Sequence, residues 1–237
     1  MEITLDGICG IKLYQNKNGY RFSVDAVLLY AFINVKHAKN IIDLGTGSGI
    51  IGLLLAKKYT NSRIILVELQ ESLYRLVLKN ITINGLDDSA EAVMADIKDI
   101  KKKLQPASCD IVVSNPPFRK LAAGLINPRE EKAIARHEIE LKFADLAESA
   151  AYLLRDRGRF FIILHPERIL EVVDTLRQRH LEPKRVRFVY NNIASESKMV
   201  LIEAVKDGRP GIKIEKPLII YDQNGFYTEE VKSIYEE

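Results

Sequence analysis

Residues 38–50, AKNIIDLGTGSGI, carry an apolar run of strand length into three closely spaced glycines and then into a helix. Asn40–Leu44 reads as the strand and Ser48–Lys58 as the helix. Glycine at such a turn permits positive φ and lets a ligand lie against bare backbone, while the helix N-terminus offers free N–H groups. A ligand site at the carboxyl end of this strand is therefore expected. Working outward, further strands read at Arg63–Val67, Glu91–Met94, Asp110–Ser114 and Phe160–Leu164, with helices at Gln70–Asn84, Glu140–Arg155 and Glu167–Arg179. Arg185–Tyr190 and Lys198–Val205 alternate like two antiparallel strands joined across Asn191–Ser197. Such alternation builds a parallel sheet covered on both faces. The expected fold is α/β and Rossmann-like: seven mostly parallel strands, helices on both sides and an antiparallel C-terminal hairpin.

At 237 residues, 47% hydrophobic and 28% charged, the chain is long enough for one large domain and too apolar for a disordered tail protein. A core over 40–205 leaves an N-terminal arm and helix over 1–39 and an extension over 206–237, neither large enough to fold alone. Cys9 and Cys109 read as reduced thiols, which excludes a disulfide scaffold. The first residues, MEITLDGICGIKLYQ, lack a basic region followed by an apolar one, and no window reaches the length of a membrane span. A soluble, cytoplasmic protein with no membrane partner is expected. His37, His137 and His180 lack metal-ligand spacing with the distant cysteines, so no metal is expected, and His165, at a strand end before Pro166, reads as structural.

The nature of the ligand turns on the acids around the glycines. Gly47, Gly49 and Gly52 also satisfy the dinucleotide pattern G-x-G-x-x-G. Asp43, two residues before the first glycine, argues otherwise: a carboxylate there repels pyrophosphate but attracts an ammonium group. S-adenosyl-L-methionine has such an ammonium and no phosphate. Glu68, ending the second strand, can accept both ribose hydroxyls, as it could those of NAD. Asp96, after the third, can accept from the adenine amino group or cap the helix after it. Gly45, Thr46, Leu69 and Ile97 complete the expected cofactor set.

The fourth strand ends in Asn115-Pro116-Pro117-Phe118. Prolines fix φ and lack the donor that would continue a ladder, so the carbonyls around them stand rigid and unpaired. If the Asn115 amide oxygen and the Pro116 carbonyl each accept one N–H of a planar amine, its nitrogen can pyramidalise and expose a lone pair. Phe118 can stack on the flat substrate. Catalysis then comes from positioning and from acceptors that bind best to developing positive charge.

In this order and spacing, DLGTGSG, Glu68, Asp96 and NPPF resemble the class I S-adenosylmethionine-dependent amino-methyltransferases, over most of residues 40–165. Adenine-N6, cytosine-N4 and protein-glutamine enzymes share these motifs. GYRFSVDAVLLYAF (19–32), ASESKMVLIEAVKDGRPG (194–211) and IIYDQNGFYTEEV (219–231) are similar to the bacterial tRNA1(Val) (adenine-N6)-methyltransferase family. That resemblance implies methylation of adenosine 37, beside the anticodon, with release of S-adenosyl-L-homocysteine. It also implies that Phe22 and Asp25 approach the methionine end of the cofactor; Asn115 is expected to serve the cofactor as well as the clamp.

A folded RNA presenting its base in a loop needs little recognition machinery. Arg119, Lys120, Arg129, Lys132 and Arg136, just after the clamp, are the expected phosphate contacts of a tRNA partner. Net charge is only +3, and a second basic stretch at 177–187 forms a docking face only if it shares a side with the first; solvated helix faces are the alternative. Competing readings are a glutamine-N5 protein methyltransferase, which calls for a larger N-terminal recognition domain, and a non-catalytic RNA-binding protein of the same fold. A dehydrogenase is a more distant one. The oligomeric state is left open between monomer and homodimer.

Overall fold

The computed structural model describes residues 3–17, 24–116 and 143–236. Strands β1 (Ile3–Ile8) and β2 (Ile11–Asn16) pair antiparallel as a separate hairpin. Its two-residue turn is Cys9-Gly10, with φ of 45° and 70°, the left-handed pair whose twist suits a tight hairpin. Helix α1 (Val24–Phe32) buries Ala26 through Tyr30 and Phe32, so it lies within the core. The alternating region follows as β3 (Asn40–Leu44), α2 (Ile50–Lys58), β4 (Arg63–Glu68), α3 (Glu71–Ile83), β5 (Ala90–Met94), a 3-10 helix (Ile97–Lys102) and β6 (Cys109–Ser114). After residue 142 come α4 (Phe143–Leu153), β7 (Leu154–Leu164), α5 (Ile169–Gln178), β8 (Leu181–Tyr190), β9 (Ser197–Lys206), β10 (Lys213–Ile214), β11 (Leu218–Ile219) and α6 (Glu229–Glu236).

The main sheet runs β10-β8-β9-β7-β6-β3-β4-β5, with β11 also on β8. Strands β5, β4, β3, β6 and β7 are mutually parallel, and β9 is antiparallel to both β7 and β8. The seven expected strands are present, and the count is corrected to nine among the described residues. The two additions are two-residue strands against the outer side of β8, too short to leave a period in the sequence. Alternate residues face opposite layers. Ile41, Ile111, Val113, Phe161 and Ile163 pack with α1 and α2, whereas Ile42, Val112, Phe160 and Ile162 pack with α4 and α5.

Both flanking segments join the first of these layers. Asn80 of α3 is fully buried; its amide oxygen accepts from the Tyr14 N–H, and its NH2 group donates to the Tyr14 and Ser48 carbonyls. It thereby ties β2 to the glycine loop. At the other end, Val231 and Ile234 are buried, and Tyr227 stacks between Tyr221 and Tyr235 with ring centroids 5.3 and 5.4 Å apart.

The first basic stretch lies outside the described residues, and the second is held in contacts of its own. Arg177 pairs with Glu182, Arg179 with Glu148, Arg185 with Glu203 and Glu215, and Arg187 with Glu230, while Lys184 donates to the Arg209 and Gly211 carbonyls. These cations are engaged within the chain. Moreover β8 runs parallel to β7, so its start, beside Arg177 and Arg179, lies at the sheet margin opposite the carboxyl ends of β3 and β6. Among the described residues no helix is long and apolar enough to cross a membrane.

Candidate active site

Strand order reverses at β3: the chain proceeds outward through β4 and β5, then returns to place β6 on the other side of β3. Open α/β sheets bind ligands in the crevice at such a point, outside the carboxyl ends of the strands. The glycine loop leaves β3 there and Asn115 leaves β6. Asp43 pairs in register with Val113, and the buried Ser114 hydroxyl donates to the Leu44 carbonyl at 2.7 Å, fixing the two strand ends to each other.

Gly45, Gly47 and Gly49 all adopt positive φ, at 72°, 62° and 90°. The Gly45 and Thr46 N–H groups donate to the Val67 carbonyl, each at 3.0 Å. Gly52 serves packing: a Cβ there would come within 2.6 Å of Leu66. Asp43 lies beneath the loop, 1% exposed. Its Oδ2 accepts from the Thr46 hydroxyl (2.6 Å) and the Gly52 N–H (3.0 Å). Oδ1 is enclosed without a hydrogen-bond partner among the described residues. Burial pushes its pKa up to about 6 against those two hydrogen bonds. The expected direct ammonium contact is thus not open to Oδ2, which shapes the loop; Oδ1 is the atom left for a cation.

Glu68 is 5% exposed. Its Oε2 accepts from the Gly47 N–H at 2.8 Å, and Oε1 accepts from the Leu69 and Gln70 N–H groups at 2.9 Å each. The side chain therefore joins the loop after β4 to the glycine loop. Asp96 follows β5 and caps the 3-10 helix, Oδ1 accepting from the Lys98 N–H at 2.9 Å. Its Oδ2 has no partner among the described residues, so the capping and ligand readings are compatible: one oxygen serves each. Leu69 is exposed and Ile97 buried, and a Cβ added at Gly45 would touch Ile97 at 3.8 Å.

On the β6 side, Asn115 and Pro116 are half-buried. Asp25, in the first turn of α1, lies near enough to the Asn115 side chain and to His165, just past β7, for both to favour its charged form. Burial raises the Asp25 pKa, while its own backbone N–H, Asn115 and His165 pull it down. Phe22, Pro117, Phe118, Arg119, Lys120, Arg129, Lys132 and Arg136 lie outside the described residues. Sequence reasoning missed Ser114 and Asn80. Asn80 left a signal: it is a polar residue in phase with the buried Leu73, Leu76, Val77 and Ile81 of α3.

A family model described as the methyltransferase small domain matches residues 22–182. The chain belongs to this family. Two relatives named tRNA1(Val) (adenine(37)-N6)-methyltransferase align over most of this small-domain methyltransferase. One, from a Flavobacteriaceae bacterium (strain 3519-10), is 29% identical over 94% of this chain and 89% of its own. The other, from Phocaeicola vulgatus, is 30% identical over 80% of this chain and 79% of its own. Two solved structures share the fold. A predicted O-methyltransferase from Agrobacterium tumefaciens has a TM-score of 0.71 at 17% identity, covering 89% of this chain and 94% of that one. TYW2 from M. jannaschii, in complex with AdoMet, has a TM-score of 0.61 at 17% identity, covering 86% and 85%. The residues present fit S-adenosylmethionine: an enclosed, unpartnered Asp43 oxygen, a glycine cradle, Glu68 and a half-used Asp96 on three successive strand ends.

Proposed function

We propose that this small-domain methyltransferase methylates the exocyclic N6 of an adenosine in tRNA, adenosine 37 of tRNA1(Val), using S-adenosylmethionine held by Asp43, the glycine loop, Glu68 and Asp96. The observation that carries the reading is the pairing at the switch point: an asparagine amide and a proline carbonyl leave β6 beside the glycine loop that leaves β3. The names of the two relatives support the choice of base and RNA.

When bound, S-adenosylmethionine supplies a methyl group on a positively charged sulfur. The chain's own part is to prepare the amine. The Asn115 oxygen and the Pro116 carbonyl accept the two N–H bonds of N6, drawing its lone pair out of conjugation with the ring. Both acceptors bind more strongly as positive charge develops on nitrogen, so they favour the transition state over the bound substrate. No strong base is needed, because the nitrogen becomes acidic only once it is methylated and then releases a proton to solvent. Phe118 stacks on the base, and Arg119, Lys120, Arg129, Lys132 and Arg136 hold the flanking phosphates.

The test is incubation of the full chain with labelled S-adenosylmethionine and unmodified total RNA, DNA or protein, followed by mass spectrometry of nucleosides and peptides. Label in N6-methyladenosine at position 37 of tRNA1(Val) is expected. Label in glutamine alone, or label surviving nuclease, overturns the RNA assignment.

A further inference from the structure

The acids that fit S-adenosylmethionine sit at the ends of β3, β4 and β5, which leaves the ends of β6, β7 and β8 to an RNA that brings its base to Asn115. β8 ends on this same margin because it runs parallel to β7, and so does β11, which pairs parallel with β8. Just past the ends of β8 and β11 lies a cavity of about 740 Å³, with Asn192, Ile193, Tyr221, Asp222 and Gln223 in its lining. Tyr221 is one end of the three-ring tyrosine stack. Tyr227 covers one side of its ring with 14° between the planes, and Tyr235 backs Tyr227 at 13°. Tyr221, 37% exposed, lines the cavity, so the stack ends there with a side of the ring still open.

The loop that carries this ring is tightly built. The Tyr221 and Tyr227 backbones form a bridge, the Asp222 N–H donates to the Phe226 carbonyl at 2.8 Å, and Asp222 Oδ1 accepts from the Asn224 and Phe226 N–H groups at 2.8 and 3.0 Å. The Tyr221 N–H donates to the Asn191 carbonyl at 2.8 Å, which joins the loop to the β8–β9 turn. A ring fixed in this way loses little freedom when a ligand stacks on it. Beside it, Asn192 Oδ1 accepts from the Ala194 N–H at 3.0 Å, which leaves the amide NH2 to donate, and Gln223 is exposed. An aromatic platform bordered by amides suits a nucleobase: the ring stacks on any base face, and the polar neighbours meet its edge. Asn115 and Tyr221 are separated by the four strand spacings from β6 through β7, β9 and β8 to β11, roughly 19 Å at about 4.8 Å each. That is the reach of a few nucleotides. A base stacked on Tyr221 therefore lies further along the loop than the immediate neighbour of the methylated one.

We propose that Tyr221 and the cavity beside it form a second nucleobase site, which takes a base of the anticodon while adenosine 37 occupies the Asn115 clamp. This inference rests on the reading of the protein as a tRNA methyltransferase. Adenosine 37 adjoins the anticodon on one side; on the other the strand soon enters the stem, where base faces are already covered. The clamp recognises an amine that every adenosine carries. A second site at a fixed distance selects an RNA whose loop presents two unstacked bases at once.

The experiment uses the full chain and a stem-loop RNA with the sequence of the tRNA1(Val) anticodon arm, intact or with an abasic nucleotide at each anticodon position in turn. Dissociation constants for each RNA and for S-adenosylhomocysteine are measured with the wild type, Tyr221→Ala and Tyr221→Phe. Tyr221→Ala should weaken binding of the intact RNA about 10- to 100-fold, the range for one stacked base, and Tyr221→Phe, which keeps the ring, less than about three-fold. Affinity for S-adenosylhomocysteine should stay within about two-fold, because the two sites are far apart. One of the abasic RNAs should bind the wild type and Tyr221→Ala alike, since the base that stacks is missing from it. Equal binding of the intact RNA by the two proteins, a loss that no abasic position removes, or a matching fall in cofactor affinity overturns the proposal.

The chain contains no tryptophan, so Tyr221→Trp places a single indole at the end of the stack. Its fluorescence should be quenched by the intact stem-loop and not by one of the abasic RNAs, a readout that remains if Tyr221→Ala does not fold. Absence of quenching overturns the proposal. Methylation of position 37 in the stem-loop together with normal binding by the Tyr221 variants overturns this inference alone. A wild type that neither binds nor methylates the stem-loop overturns the function reading with it.

Discussion

The two halves of the crevice are built on different principles. At the ends of β3, β4 and β5 the acidic side chains already hold the loops: Asp43 accepts from the Thr46 hydroxyl and the Gly52 N–H, Glu68 from the Gly47, Leu69 and Gln70 N–H groups, and Asp96 from the Lys98 N–H. That half is braced by local contacts before any ligand arrives. At the ends of β6 and β7, Asn115 and His165 lie near Asp25, which is ninety positions before Asn115 in the chain. A binding half whose acids also hold its loops should couple affinity to folding, whereas an acceptor half served by one amide should fail in rate alone.

The sharpest break in that comparison is Asn115→Ala. Loss of the acceptor should lower methyl transfer by about a thousand-fold, the scale seen when one preorganised transition-state group is removed. Cofactor affinity should stay within a few-fold and the melting temperature should hardly move. Calorimetric titration with S-adenosylhomocysteine beside single-turnover rates separates the quantities, and an affinity loss equal to the rate loss would contradict the assigned division.

Glu68→Ala should do the reverse. Three N–H groups lose a charged acceptor, and the expected ribose contact goes with them. Cofactor affinity should fall about 100-fold or more, from hydrogen bonds to a charged group worth roughly 1.5–3 kcal/mol each, and the melting temperature should fall as well. A variant with weakened binding and unchanged thermal stability would show that the loops do not lean on this side chain.

This contrast also explains what could be read from the sequence. Strand ends and the glycine loop were legible because their signals are local: Asn40–Leu44 and Asp110–Ser114 are apolar runs bounded by turn residues. The hairpin at Ile3–Asn16 was not, since its turn uses Cys9 where asparagine or aspartate is usual, and its strand Ile3–Ile8 is half-exposed. Among the site residues, Asp43 was legible as an acid beside the loop but not as one buried beneath it, because depth depends on how Leu66 packs on Gly52. The proximity of Asp25 to Asn115 is set by how α1 packs on the sheet, which no spacing along the chain encodes.

Asp43 offers a pH test of the braced half. Its folded pKa, about 6, lies above the ordinary aspartate value of 3.8, so the ionised form is the disfavoured one in the fold. The contribution to stability is fully present below pH 3.8 and is lost as pH rises through about 6. At pH 7.5 the buried charge costs at most about 3 kcal/mol, taking 1.36 kcal/mol per unit. Asp43→Asn keeps an oxygen for Thr46 and Gly52 and removes the charge. Without cofactor it should melt higher than the wild type at pH 7.5, with the difference closing toward pH 4. It should also bind S-adenosylmethionine more weakly, having lost the attraction for the ammonium group. A melting difference independent of pH would remove the charge from the account.

The smallest expected effect lies where the halves meet. Ser114→Ala deletes the hydroxyl that donates to the Leu44 carbonyl and leaves that carbonyl enclosed at the sheet end. The cost in stability should be about 1 kcal/mol, the net worth of one such bond. Strand pairing of Asp43 with Val113 persists, so the fold survives and each half keeps its own contacts. What loosens is the spacing between them, on which transfer depends more steeply than binding does. The rate should therefore fall a few-fold with cofactor affinity unchanged. A fall in affinity with no change in rate would mean that Ser114 serves the glycine loop and not its registration against Asn115.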